Sequence, residues 1–205
     1  MQGMEIYDII IVALAVFLGW RLFSVLGKRD EGDEAFTGLS EVAPPVAPPP
    51  RPAIRKTPEI PESLPAELRQ GLEAIARADE GFDFGHFMIG ARRAYAMIVD
   101  AFSDGDVATL KPFLGDDLYE AFASAIRSRG EGEAKVRVTD VMEAEALAAG
   151  CDGRESSVTI RFRSRQEHTT PSGTGMVEAV DIWTFRRLLR SRDPNWILVE
   201  TRDAQ

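Results

Sequence analysis

Asp181-Ile-Trp-Thr-Phe-Arg-Arg-Leu-Leu-Arg-Ser-Arg-Asp-Pro-Asn-Trp196, with Ile197-Leu-Val-Glu-Thr201 behind it, reads as a strand, a tight turn and a final strand. Ile182 and Thr184 alternate with Trp183 and Phe185, so one face of the first strand takes the aromatic rings. Arg190 to Pro194 carries the turn: Asp193 precedes a proline and is pushed out of the helical region, and Pro194 fixes the bend. Trp196 opens a second apolar and β-branched run. A hairpin with a Trp on each arm must bury a large apolar area, and other elements must cover it.

Working back from that hairpin, the spacing keeps period two. Met176 onward is the strand that leads into it, and His168 to Gly175, rich in Gly, Ser and Thr, reads as a loop. Val158, Ile160 and Phe162 alternate with Thr159, Arg161, Arg163 and Arg165. Asp152-Gly153 is the strongest short hairpin signal in the chain. Val136 and Val138 alternate with Lys135 and Arg137, and that strand is expected to run on through Val141 and Met142.

Upstream of Gly130 the period changes to that of a helix. Asp116 starts one helix, with Leu118, Phe122 and Ile126 in register, and Gly130 stops it. Asp106 caps a short helix through Leu110. Asp83 begins a longer one, whose face runs through Phe84, Phe87, Met88, Ala91, Tyr95, Ile98 and Phe102. Arg92, Arg93 and Asp100 lie off that stripe. Ser63 is placed to cap a first helix with Pro65 in its first turn and Leu64, Leu68, Leu72 and Ile75 as its apolar stripe. That stripe fits either its own domain or a membrane or partner surface. Helices first and antiparallel strands after define an α+β domain, with the helices on one face of a curved sheet.

Residues 27–59 form a linker, acidic at Asp30 to Glu34 and then rich in proline from Val42 to Ala53. Such a segment favours polyproline II and serves as a semi-stiff spacer or as a ligand for a proline-binding module. Ile6 to Leu26 is apolar apart from Asp8 and Arg21. Ile9 to Trp20 is too short alone for a hydrocarbon layer of about 30 Å, but the whole stretch spans it if Arg21 snorkels. Trp20, Arg21, Lys28 and Arg29 then mark the membrane interface, and the basic flank puts the carboxyl side in the cytoplasm. A cleaved signal peptide would carry its positive charge before the apolar core; here Glu5 and Asp8 precede it. The expected organisation is an anchor over 1–26, a linker over 27–59 and a folded domain over 60–205.

The net charge is −9, and residues 60–205 hold eighteen basic and twenty-five acidic side chains. A general nucleic-acid partner needs the opposite field. Cys151 is the one cysteine, so no intrachain disulfide forms, which fits a reducing compartment.

Phe82 to Phe102, Leu110-Lys-Pro-Phe-Leu-Gly-Asp-Asp-Leu-Tyr-Glu-Ala-Phe122, Asp181-Ile-Trp-Thr-Phe185 and Arg190-Ser-Arg-Asp-Pro-Asn-Trp196 resemble the Tim44-like domain family. The likeness is strongest over 63–201, and the amino anchor, proline-rich linker and domain order are similar to those of bacterial membrane-anchored adaptors in that family. It implies an NTF2-like cone: a bent antiparallel sheet of about four strands packed by three to four helices around an apolar pocket, with no catalysis and no cofactor. The family's mitochondrial member is a matrix-side scaffold of the inner-membrane import translocase and touches cardiolipin-containing membrane. The likeness therefore implies a non-catalytic adaptor at the cytoplasmic face of a bacterial inner membrane, acting in membrane-protein assembly or protein transport. Its expected partners are the inner membrane, one or more membrane or envelope proteins, and anionic lipid. The chain departs from the family at Phe84-Gly85, where a Pro and an acid or Asn usually follow the helix-starting Asp. The mitochondrial protein's motor-binding amino region has no matching stretch, so Hsp70 recruitment is not among the expectations.

The residues themselves offer little catalytic equipment. His86 and His168 have no ligand-spaced companions, and there is neither a phosphate loop nor a serine elbow. Cone folds also host enzymes, so the alternative is a membrane-tethered enzyme or lipid-binding protein that uses the pocket. Asp100 and Asp181 are then the candidate bases. Tyr95, Ile98, Phe162, Trp183, Phe185 and Trp196 are candidate pocket-lining residues, or else the bulky core. Arg161, Arg163 and Arg165 share one sheet face and form a candidate anionic contact, unless neighbouring acids such as Glu178 and Asp181 neutralise them.

Overall fold

The computed structural model describes residues 60–129, 134–189, 191 and 195–203. The expected anchor and linker lie outside the described residues, as does most of the tip of the final hairpin. Among the described residues no helix is long and apolar enough to cross a membrane.

Among the described residues four helices precede four strands. They are α1 (Ala66–Ala78), α2 (Phe84–Asp104), α3 (Val107–Leu110) and α4 (Asp116–Ser128), with a single 3-10 turn at Lys111–Phe113. The strands are β1 (Lys135–Cys151), β2 (Glu155–Thr170), β3 (Gly173–Leu188) and β4 (Ile197–Asp203). They pair antiparallel in chain order, so the sheet is a meander with β1 and β4 at its edges. This is the α+β architecture that the switch from helical to period-two spacing predicts.

Local chemistry sets the boundaries. Asp83 caps α2 by accepting the His86 amide at 2.7 Å, so the unusual Phe84-Gly85 pair leaves the helix start intact. Gly105 ends α2 at φ 76°, a left-handed position that glycine occupies without strain. Asp106 caps α3 through the Thr109 amide at 3.0 Å. At the first hairpin, Asp152 Oδ1 accepts the amides of Arg154 and Glu155 while Gly153 turns the chain at φ 86°.

Three expectations change. Ser63 does not cap α1: Pro65 is the cap residue, without a side-chain bond, because a turn closed by Leu64 N–H on Pro61 O holds Ser63 upstream. His168 to Gly175 is not a loop: β2 runs to Thr170 and β3 starts at Gly173, leaving only Pro171 and Ser172 between them. Ladder bonds and the Thr169–Thr174 hydroxyl contact order this polar stretch, and composition alone does not reveal such pairing. Finally, β1 continues nine residues beyond Met142, to Cys151. Register shifts at Val138/Asp140, Val141/Glu143 and Ala146/Ala148 break its alternation, which hides the strand from a period-two reading.

The core lies between the helices and one sheet face. Phe84, Phe87, Ala91, Tyr95 and Ile98 of α2 are buried against Val158, Ile160, Phe162, Trp183, Phe185 and Leu198. Leu68, Leu72 and Ile75 of α1 are buried in the same core, so the apolar stripe of this helix faces its own domain.

Helix α1 meets β1 closely. A Cβ on Gly71 would sit 2.0 Å from the Ala149 carbonyl oxygen, whereas one on Gly90, in mid-α2, would meet nothing within 4 Å. Gly71→Ala is expected to destabilise the domain by about 1–3 kcal/mol through overpacking. Gly90→Ala is expected to stabilise it by about 0.5–1 kcal/mol through helix propensity. Urea unfolding of the two variants checks both signs.

Candidate functional site

Successive core-facing positions of β2 carry Ser164, Gln166 and His168 after Val158, Ile160 and Phe162; Ser164 and Gln166 meet Tyr95 of α2, and His168 meets Gln166. Tyr95 is fully buried, and its hydroxyl donates to Asp181 Oδ2 at 2.5 Å. It accepts from Gln166 Nε2 at 3.2 Å and lies 2.8 Å from Ser164 Oγ. Gln166 Oε1 in turn accepts from His168 Nε2 at 3.1 Å. Burial, then the charge and hydrogen bond of Asp181, push the Tyr95 phenol well above its usual range. It is therefore a permanent donor to Asp181. Burial pushes His168 below the ordinary histidine value. Asp100, the other candidate base, accepts the Val138 amide at 2.9 Å and ties α2 to β1.

The structure packs the candidate pocket-lining residues against one another. Tyr95, Ile98, Phe162, Trp183 and Phe185 are all buried. Tyr95 stacks on Phe162 with centroids 4.5 Å apart and lies 4.7 Å from Trp183. Trp196 is half-buried and packs on Phe87 at 4.7 Å. Arg161, Arg163 and Arg165 line the opposite, exposed sheet face. There Arg161 pairs with Glu145, Arg163 with Glu143 and Glu178, and Arg165 with Glu178. Exposed pairs of this kind contribute little stability, but they offset the charge of the stripe. Trp20, Arg21, Lys28 and Arg29 lie outside the described residues. Among the described residues no three His, Cys, Asp or Glu side chains cluster to hold a metal ion.

A groove of about 420 Å³ opens elsewhere, between the turn that precedes α1, the first half of α2 and β1. Pro61 and Leu64 form one wall; Phe84, Gly85, Met88 and Arg92 form another; Ala144, Glu145 and Ala146 form the floor. Arg92 donates to the Val141 carbonyl at 2.8 Å and closes one end. The groove is mainly apolar, and its size lies in the range of small-molecule and side-chain pockets. Leu64 and Met88 were legible as members of apolar stripes. Ala144 and Ala146 were not, although their alternation with Glu143 and Glu145 is a strand signal in its own right.

The Tim44-like domain family matches residues 68–203, from α1 to the end of β4. The chain belongs to this family. Tim44-like proteins are a family of non-catalytic scaffolds, and members interact with membrane and protein partners. No curated protein matches the sequence. Among solved structures, the intermembrane space region of the chloroplast protein ARC6 aligns with a TM-score of 0.42 at 12% identity, covering 57% of this chain and 95% of that one. An NTF2-like protein involved in plasmid conjugation aligns at 0.35 and 10% identity, covering 59% and 49%. An LEH-like epoxide hydrolase of M. tuberculosis aligns at 0.29 and 18% identity, covering 55% and 84%.

In this Tim44-like domain the Tyr95 network is a structural bond set, and two measurements test it. Tyr95→Phe removes the donor to Asp181 and the acceptor for Gln166, and is expected to cost about 1–3 kcal/mol in urea unfolding. For His168 the folded value lies below the ordinary 6.5, so the unfolded chain takes the proton more readily. Its neutral form keeps full stability above that value, and stability falls as pH drops below it. The slope of unfolding free energy between about pH 8 and about pH 5 is expected to flatten in His168→Gln.

Proposed function

We propose that this chain is a single-pass, non-catalytic adaptor of the bacterial inner membrane, anchored by residues 1–26, with its Tim44-like domain on the cytoplasmic face. In this reading it resembles the bacterial TimA adaptor. It holds one or more membrane or envelope proteins during membrane-protein assembly or protein transport, with anionic lipid as a further contact and no nucleic acid as partner. The family match over residues 68–203 is the observation that carries the reading. Two features of the domain support it. The side chains that would have lined a catalytic cavity are packed into the core. The apolar stripe of α1 is likewise docked on the domain, which leaves membrane attachment to the amino segment.

The polyproline-rich linker then acts as a spacer. At about 3 Å per residue it lets the domain reach partners beyond the headgroup layer. The net acidity of residues 60–205, eighteen basic against twenty-five acidic side chains, keeps the domain off anionic surfaces except where basic residues cluster.

In-cell crosslinking of the tagged full-length chain, followed by purification from the membrane fraction, is expected to return a reproducible set of membrane or envelope proteins. A chain beginning at Pro61 is expected to lose that set. Recovery of the full-length chain in the soluble fraction would overturn the anchor. Co-purification of a lipid or small molecule with no protein would overturn the adaptor role.

A further inference from the structure

We infer that the outer edge of β1 between Val141 and Ala149 is a strand-addition site, which takes an extended peptide of a protein partner whose residues alternate between apolar and basic. As the first strand of the meander, β1 offers a lateral edge of backbone amides and carbonyls. Most of that edge is engaged. Ser103 Oγ of α2 accepts the Val136 amide at 2.6 Å, Asp100 accepts the Val138 amide at 2.9 Å, and Arg92 donates to the Val141 carbonyl at 2.8 Å. Farther along, α1 closes on the Ala149 carbonyl at Gly71. Among the described residues, no hydrogen bond reaches Glu143 to Leu147 from this side, and the groove opens at that window.

The strand's own pattern shows what the window presents. Val138, Val141 and Ala149 pack toward the core, and it is their backbone groups that face outward to the helices. Residues that share a strand face also share a backbone direction. Ala144 and Ala146 lie on that core face, opposite Phe162 and Ile160, so their amides and carbonyls point into the groove mouth. Their small side chains leave the space that Leu64, Phe84 and Met88 line.

The occupant follows from these groups. An added strand places alternate side chains over the apolar groove and the others beside Glu143 and Glu145 on the exposed face. Those carboxylates already share Arg163 and Arg161, but each has two oxygens and room for further donors. Basic residues therefore complement the outer positions and apolar residues the inner ones. Strand addition would be how the adaptor holds a protein, so it rests on that reading; peptide binding at the edge is nonetheless measurable without any cellular partner.

The test uses the full-length chain and a fluorescent Lys-Val-Lys-Val-Lys-Val-Lys peptide. Binding by anisotropy is expected, with slowed hydrogen exchange confined to the stretch around Glu143 to Leu147. N-methylation of alternate peptide amides in one register is expected to weaken binding by at least about tenfold, and in the other register little. Ala144→Pro, which removes one outward donor at an edge where proline is tolerated, is expected to weaken it similarly. Four results would each overturn the inference: no binding, equal binding of both N-methylated peptides or of a Lys-Lys-Lys-Lys-Val-Val-Val control, protection elsewhere on the domain, or occupation of the edge by a second copy of the chain. Peptide binding at the edge with no co-purifying membrane protein would instead sink the adaptor role and leave the edge site standing.

Discussion

The fold turns on the seat of Tyr95. Its ring packs against both Phe162 and Trp183, and its hydroxyl, without access to water, must find partners inside the protein. Asp181, Ser164 and Gln166 provide them from two neighbouring strands. A buried phenol with three directional partners tolerates little sliding, because any shift leaves polar groups unpaired in a low-dielectric interior. Helix α2 is therefore fixed in depth, rotation and register on the sheet.

That register decides what happens along β1. With Tyr95 seated, Arg92 falls against the Val141 carbonyl, Asp100 against the Val138 amide and Ser103 against the Val136 amide. A sheet edge left open invites uncontrolled pairing, and the helix closes most of this one with its own side chains. The bulges serve the same arrangement. Each register shift re-aims the strand, so β1 follows α2 at one end and meets Gly71 of α1 at the other. The groove opens where neither helix hydrogen-bonds the edge of β1.

The remaining chemistry is consistent with a scaffold. A packed aromatic cluster runs from Phe82 through Trp196, Phe87 and Phe185 to Phe162 and Trp183. Asp181 and Asp100 hold the helix to the sheet. The arginine stripe on the exposed face meets glutamates on both flanking strands, so it offers a balanced surface instead of a strongly cationic one. Membership of the Tim44-like family and this distribution of groups point the same way, toward a scaffold.

The sequence by itself determined the order of elements, the helical faces, the caps at Asp83 and Asp106 and the hairpin at Asp152-Gly153, because each depends on chemistry within a few residues. The apolar stripe of α2 and the Trp183-Phe185 alternation named most of the core for the same reason. The length of β1 was not legible, since its bulges erase the alternation that marks a strand. The ordering of His168 to Gly175 was not legible either, since cross-strand bonds supply it to a stretch composed like a loop. In the sequence Asp100 reads as a solvent-facing acid and Asp181 as the cross-strand partner of an arginine, with pocket bases as the alternative. Only the tertiary structure brought them to Val138 and Tyr95, partners thirty-eight and eighty-six residues away in the chain. The groove belongs wholly to that level: it is a gap between three elements, set by where a buried tyrosine stops a helix.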